Sequence, residues 1–94
     1  MLEITLSGAH WTAPDDFYNA LLPSLGAPDW HGHNLDALWD SITGGDINAV
    51  NPPFRVKIAG VDQMPLNCKD LVDRFAALIS EARAGGHAVE IVCI

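Results

Sequence analysis

Apolar and polar residues alternate from the start of the chain, with Leu2, Ile4 and Leu6 on one side and Glu3, Thr5 and Ser7 on the other. A period of two is that of a half-buried strand, and Gly8 ends it. Thr12-Ala13-Pro14-Asp15 then predicts a helix start, with the Thr12 hydroxyl as N-cap, an early proline and an acid three residues on. Phe17, Leu21 and Leu25 share one face of that helix, which Pro23 is expected to end or kink. A loop runs from Gly26 to His33. Asn34 can cap the next helix, in which Leu35, Leu38, Trp39 and Ile42 fall at helical spacing and Gly44-Gly45 makes the stop.

From Asp46 to Pro53 no period is visible. Phe54, Val56 and Ile58 then alternate with Arg55 and Lys57 as a second strand. Asn67-x-x-Asp70 offers a third helix start, Leu71, Phe75, Leu78, Ile79 and Ala82 form its apolar stripe, and Gly85-Gly86 closes it. His87 to Ile94 is apolar on nearly both faces, which predicts a strand flanked by others and covered by helices. The order β-α-α-β-α-β favours parallel strands joined by right-handed crossovers. The expectation is a small single α/β domain over residues 1–94, a three-stranded parallel sheet with three to four helices.

Charge adds a direction to this picture. The net charge is −7, and no Lys or Arg precedes Arg55, whereas Glu3, Asp15, Asp16, Asp29, Asp36, Asp40 and Asp46 all do. A nucleic-acid or anionic-membrane binder needs a basic face, so neither partner is expected. A partner with a positive surface fits, and so does ordinary acidic solubility. No apolar run reaches the roughly 20 residues of a membrane-spanning helix. The first residues lack the basic and apolar regions of a secretory signal, so a cytoplasmic location is expected. Cys68 and Cys93 form no motif and are expected to be reduced.

The second helix carries the most unusual pattern. At about 100° per residue, Leu35, Leu38 and Ile42 cluster on the core side, while Asp36, Asp40 and Thr43 gather elsewhere and Trp39 lies at the border. Two Asp at i and i+4 repel, and neither has a cation three or four residues away. Trp30-His31-Gly32-His33 precedes them. Acids beside aromatics suit a binding surface. A solvated acidic face accounts for the same residues as well. His31-x-His33, with Asp29 and Asp36 close by, could in principle ligate a metal, but it falls far short of a specific ligand motif. No cofactor and no catalytic residue is expected.

The run Asp36-Ala37-Leu38-Trp39-Asp40, preceded by Gly32-x-Asn34-Leu35 and followed by Thr43-Gly44, resembles the signature of the barstar family of intracellular ribonuclease inhibitors. The likeness extends to Glu81-Ala82-Arg83-Ala84-x-Gly86 and so covers nearly the whole chain. It implies a non-enzymatic inhibitor, monomeric when free, that binds a small basic ribonuclease one to one. Asp40 would act as the central phosphate mimic and Asp36 as a second acidic contact. Trp39, Thr43, Gly32 and Asn34 match contact positions, with Leu35 and His31 inside the same stretch. Trp30 stands where the family often has Tyr, and Glu81 matches a peripheral acidic contact. His31 and His33 replace an aromatic and a polar residue, and Gly45 replaces an aromatic. These departures leave room for another basic partner or a non-ribonuclease toxin on the same scaffold.

Overall fold

A computed structural model describes residues 1–94. Strand β1 (Leu2–Ser7) leads to helix α1 (Pro14–Leu25) and helix α2 (Leu35–Gly44). Strand β2 (Phe54–Ala59), a short 3-10 turn (Val61–Gln63), helix α3 (Leu66–Ala84) and strand β3 (Val89–Cys93) complete it. The three strands are parallel in the order β1-β2-β3. Ile4, Val56 and Ile91 stand in one row and Glu3, Arg55 and Glu90 in the next.

That order decides which faces are covered. Two successive right-handed crossovers that step the same way put their helices on one side of a sheet. Ile4, Leu6, Phe54, Val56, Ile58 and Val89 are accordingly buried, and the residues between them are not. The expectation that His87 to Ile94 is flanked and covered is corrected here. It forms an edge strand, because the central position belongs to β2, and Val92 and Ile94 are exposed.

On the open face the Lys57 ammonium lies 3.0 Å from Glu3, and the Arg55 Nε–H donates to Glu90 at 2.7 Å. Lys57, hydrogen-bonded to Glu3, holds that carboxyl below the usual range, as its positive charge does. Donation to Glu90 likewise raises the Arg55 guanidinium above its ordinary value. The sheet therefore carries two acids and two bases. The whole excess of −7 lies on the helices and loops.

Helix starts depart from their expected caps in two places. At α1 the cap position is Ala13, and the Asp16 carboxylate reaches back to accept from the N–H groups of Thr12 (2.8 Å) and Ala13 (3.1 Å). Thr12 is one residue too early to act as cap, so the acid at the third helical position satisfies the free donors. At α3, Pro65 holds the cap position and Asn67 lies inside the helix. Proline suits a helix entrance because its missing N–H would have no partner there. Pro23 does not end α1, which continues to Leu25 and closes at Gly26 with φ 65°.

The core contains 22 residues, drawn from every strand and helix. Phe17 lies at its aromatic centre, edge-on to Trp11 (5.9 Å between centroids), Tyr18 (5.1 Å) and Phe75 (5.1 Å). No helix is long and apolar enough to cross a membrane. Both cysteines are free.

Candidate protein-binding site

Helix α2 is held so that one side faces the core and the other faces solvent. Asn34 caps it, its Oδ1 accepting from the Ala37 N–H at 2.7 Å. Leu38 and Ile42 are buried and Leu35 is half-buried. These anchors leave Asp36 and Asp40 exposed, and neither pairs with a cation. Trp39 is 37% exposed and Trp30 is 75% exposed. The Thr43 hydroxyl donates to the Trp39 carbonyl at 2.6 Å, which folds its polar end back onto the helix.

At Gly32 a larger residue would displace the capping side chain. A Cβ at this position would stand 2.8 Å from the Asn34 amide nitrogen and 3.3 Å from the Ala37 Cβ. The loop thus passes directly over the cap of α2. Glu81, on α3, borders the same groove as Leu35, Asp36, Trp39 and Leu78, a space of about 340 Å³. The fold therefore brings Glu81 beside an acid and an aromatic more than forty residues earlier in the chain.

The two histidines go separate ways. His31, expected among the contacts, is only 5% exposed. Its Nδ1 lies 2.8 Å from the Gly32 carbonyl oxygen and its Nε2 2.8 Å from the Ser41 hydroxyl. His33 is turned toward α1, with Nδ1 2.6 Å from the Asp15 carboxylate and the ring stacked on Tyr18 at 5.6 Å. Burial pushes the Tyr18 phenol above its ordinary range. No group of three His, Cys, Asp or Glu side chains converges as a metal site.

The sequence pattern does not single out Ser41 or Asn48. Both are buried, and the Asn48 amide N–H donates to the Ser41 hydroxyl oxygen at 3.1 Å. Ser41 could have been found, since it is a polar residue on the buried side of an amphipathic helix. Asn48 could not, because its loop has no period.

Electrostatically, the surface is mainly acidic: unpaired carboxylates and two indoles lie on α2 and its preceding loop, and across the groove α3 contributes one more acid, Glu81, and one cation, Arg74. Compared with known families, the chain matches the Barstar model, described as "Barstar (barnase inhibitor)", over residues 1–93. The chain belongs to the barstar family. A relative named as a ribonuclease inhibitor, YrdF of Bacillus subtilis (strain 168), is 39% identical over 44 residues. That match covers 47% of this chain and 48% of YrdF, so it spans about half of each. The barstar-like architecture expected from the sequence is present, with three α-helices on one face of a three-stranded parallel sheet.

Proposed function

We propose that the chain is an inhibitor, of immunity or antitoxin type, that blocks the active site of a small basic ribonuclease. Helix α2 and the loop before it enter the cleft as a rigid acidic wedge. The observation that carries this reading is a capped, core-anchored helix whose Asp36 and Asp40 carboxylates are exposed and unpaired, with exposed tryptophans at Trp39 on the helix and Trp30 in the loop before it. Family membership supports it, since the family is described as one of barnase inhibitors.

A pocket that holds RNA phosphates presents cations spaced for oxygen anions, and carboxylates on a rigid helix can take the same positions. Asp40 is the central phosphate mimic, and Asp36 extends the contact one turn earlier. Trp30 and Trp39 supply planar faces for a histidine or arginine of the enzyme. Gly32, Asn34, Leu35 and Thr43 shape the surface between them, and Glu81 meets the rim. With −7 net charge and a balanced sheet, the field is strongest around the helices and loops, which steers encounter with a basic enzyme at low ionic strength. The complex is one to one, and its place of action is the cytoplasm.

A second reading keeps the acidic face and changes the partner. It is favoured by one feature: His31 is turned inward and Gly45, with open space around it, offers no side chain. The face therefore presents less aromatic surface beyond Trp30 and Trp39. The test is inhibition of a panel of small basic ribonucleases, barnase included, by the purified chain. Stoichiometric loss of activity of at least one enzyme is expected. No inhibition across the panel would transfer the proposal to a different basic partner.

A further inference from the structure

The three buried polar side chains, His31, Ser41 and Asn48, are bonded to one another. They come from three separate segments: the loop before α2, α2 itself and the loop after it. Their hydrogens can be placed by elimination. The Gly32 carbonyl only accepts, so the hydrogen of that 2.8 Å contact sits on His31 Nδ1. In the neutral ring Nε2 then bears a lone pair, and the Ser41 O–H donates to it at 2.8 Å in preference to the Leu38 carbonyl, its longer alternative at 3.2 Å. With its own hydrogen committed, the Ser41 oxygen receives the Asn48 N–H at 3.1 Å. The chain of donors runs from Asn48 through Ser41 and His31 to the Gly32 carbonyl.

The far end of this chain is firmly fixed. Next to Asn48, the Ala49 and Val50 N–H groups donate to the carbonyls of Gly26 and Leu25 at 3.1 and 2.9 Å, pinning the loop to the end of α1. At the near end, the His31 N–H closes a turn onto the Pro28 carbonyl at 3.0 Å, with Trp30 inside that turn. Asn48 also leaves its Oδ1 buried without a partner. A buried acceptor left empty costs stability, so the useful end of this side chain is its donor.

We propose that Asn48, Ser41 and His31 form a one-way hydrogen-bond relay that sets the loop carrying Trp30 and Gly32 against α2. His31 is thereby a positioning residue of the binding face and does not touch the partner. The binding half of this proposal rests on the ribonuclease-inhibitor reading; the relay itself does not.

The first arm of the experiment needs no partner. In the ¹⁵N-histidine-labelled chain, long-range proton–nitrogen correlations should show His31 with the hydrogen on Nδ1, opposite to the tautomer free histidine prefers. Asn48→Asp replaces the donor with an acceptor of the same shape. Ser41 then donates to the new carboxylate and His31 gains a second ring proton, visible in the same spectrum, whereas Asn48→Ala leaves the ring with one. A hydrogen on Nε2 in the wild type, or an unchanged ring in Asn48→Asp at a pH where the new carboxyl is ionised, overturns the relay.

The second arm uses whichever ribonuclease the wild type inhibits, with barnase as first probe. His31→Phe keeps a ring of similar size and removes both bonds. Inhibition should weaken about tenfold, chiefly through faster dissociation. In a Trp30→Ala background the same change should cost less than about twofold, because the group being positioned is gone. A full loss that persists in that background means His31 acts directly and overturns its positioning role. If no ribonuclease is inhibited, the functional reading fails, and the tautomer still decides the relay.

Discussion

Leu38→Ala separates the side of α2 that holds the fold from the side that faces a partner. Leu38 is completely buried, within the 22-residue core. The change removes three carbons, each worth about 0.8 kcal/mol in transfer from water. The space they leave adds about 24 cal/mol per Å³ of whatever does not collapse, which brings the loss to about 3 kcal/mol. A domain of this size has roughly 5–14 kcal/mol in total, so the variant still folds with a clearly lowered margin. In urea, with a slope of about 1 kcal/mol per molar, the midpoint should fall by about 2–3 M. Equilibrium denaturation followed by tryptophan fluorescence measures it. Under native conditions the folded variant should retain the wild-type inhibitory affinity within a few-fold. A midpoint shift below about 1 M would refute the assignment of Leu38 as the anchor that orients α2.

Asp40→Asn should do the reverse, raising stability by about 0.3 kcal/mol through relief of its repulsion with Asp36 while weakening inhibition, as thermal melts and inhibition titrations run in parallel would show. Gly32→Ala forces a methyl against the Asn34 amide and should cost about 1 kcal/mol through the damaged cap, read from the denaturation midpoint. Hydrogen bonds from the Thr12 and Ala13 backbone lower the Asp16 carboxyl from its usual 3.8. A lowered folded-state value means the stabilisation is complete above 3.8 and is lost as the pH falls through the folded value. The stability gap between wild type and Asp16→Ala should therefore be steady at neutral pH and close in acid, which thermal melts across pH 2–7 would follow.

Much of this fold is local and therefore legible. Period two at Leu2–Leu6 and Phe54–Ile58, the 3.6-residue stripe through Leu71–Ala82, the Asn34 cap and the glycine stops after α2 and α3 each act within a few residues. The departures are non-local. Whether the apolar run before Ile94 lies at the centre or the edge depends on which strand β2 chooses as neighbours, which no residue of β3 states by itself. Near the cap of α1, two residues could do the same job, and geometry chose Asp16 over Thr12.

The binding face divides along the same line. Asp36, Trp39 and Asp40 follow from helical spacing once Leu38 and Ile42 are assigned to the core. Trp30 is legible as a loop aromatic. The inward turn of His31 is not, because it depends on Ser41 and Asn48, residues 10 and 17 positions away. Glu81 reaches the site only through the packing of α3 against α2.

The central claim is that the exposed acids of α2 are the inhibitory element. Its most direct test is a titration of a susceptible small basic ribonuclease with wild type and with Asp40→Ala, both verified as folded. The wild type should abolish activity at one equivalent, and the variant should bind at least about a hundredfold more weakly, since it leaves cations of the enzyme buried without a partner. Equal inhibition by the two proteins would contradict it.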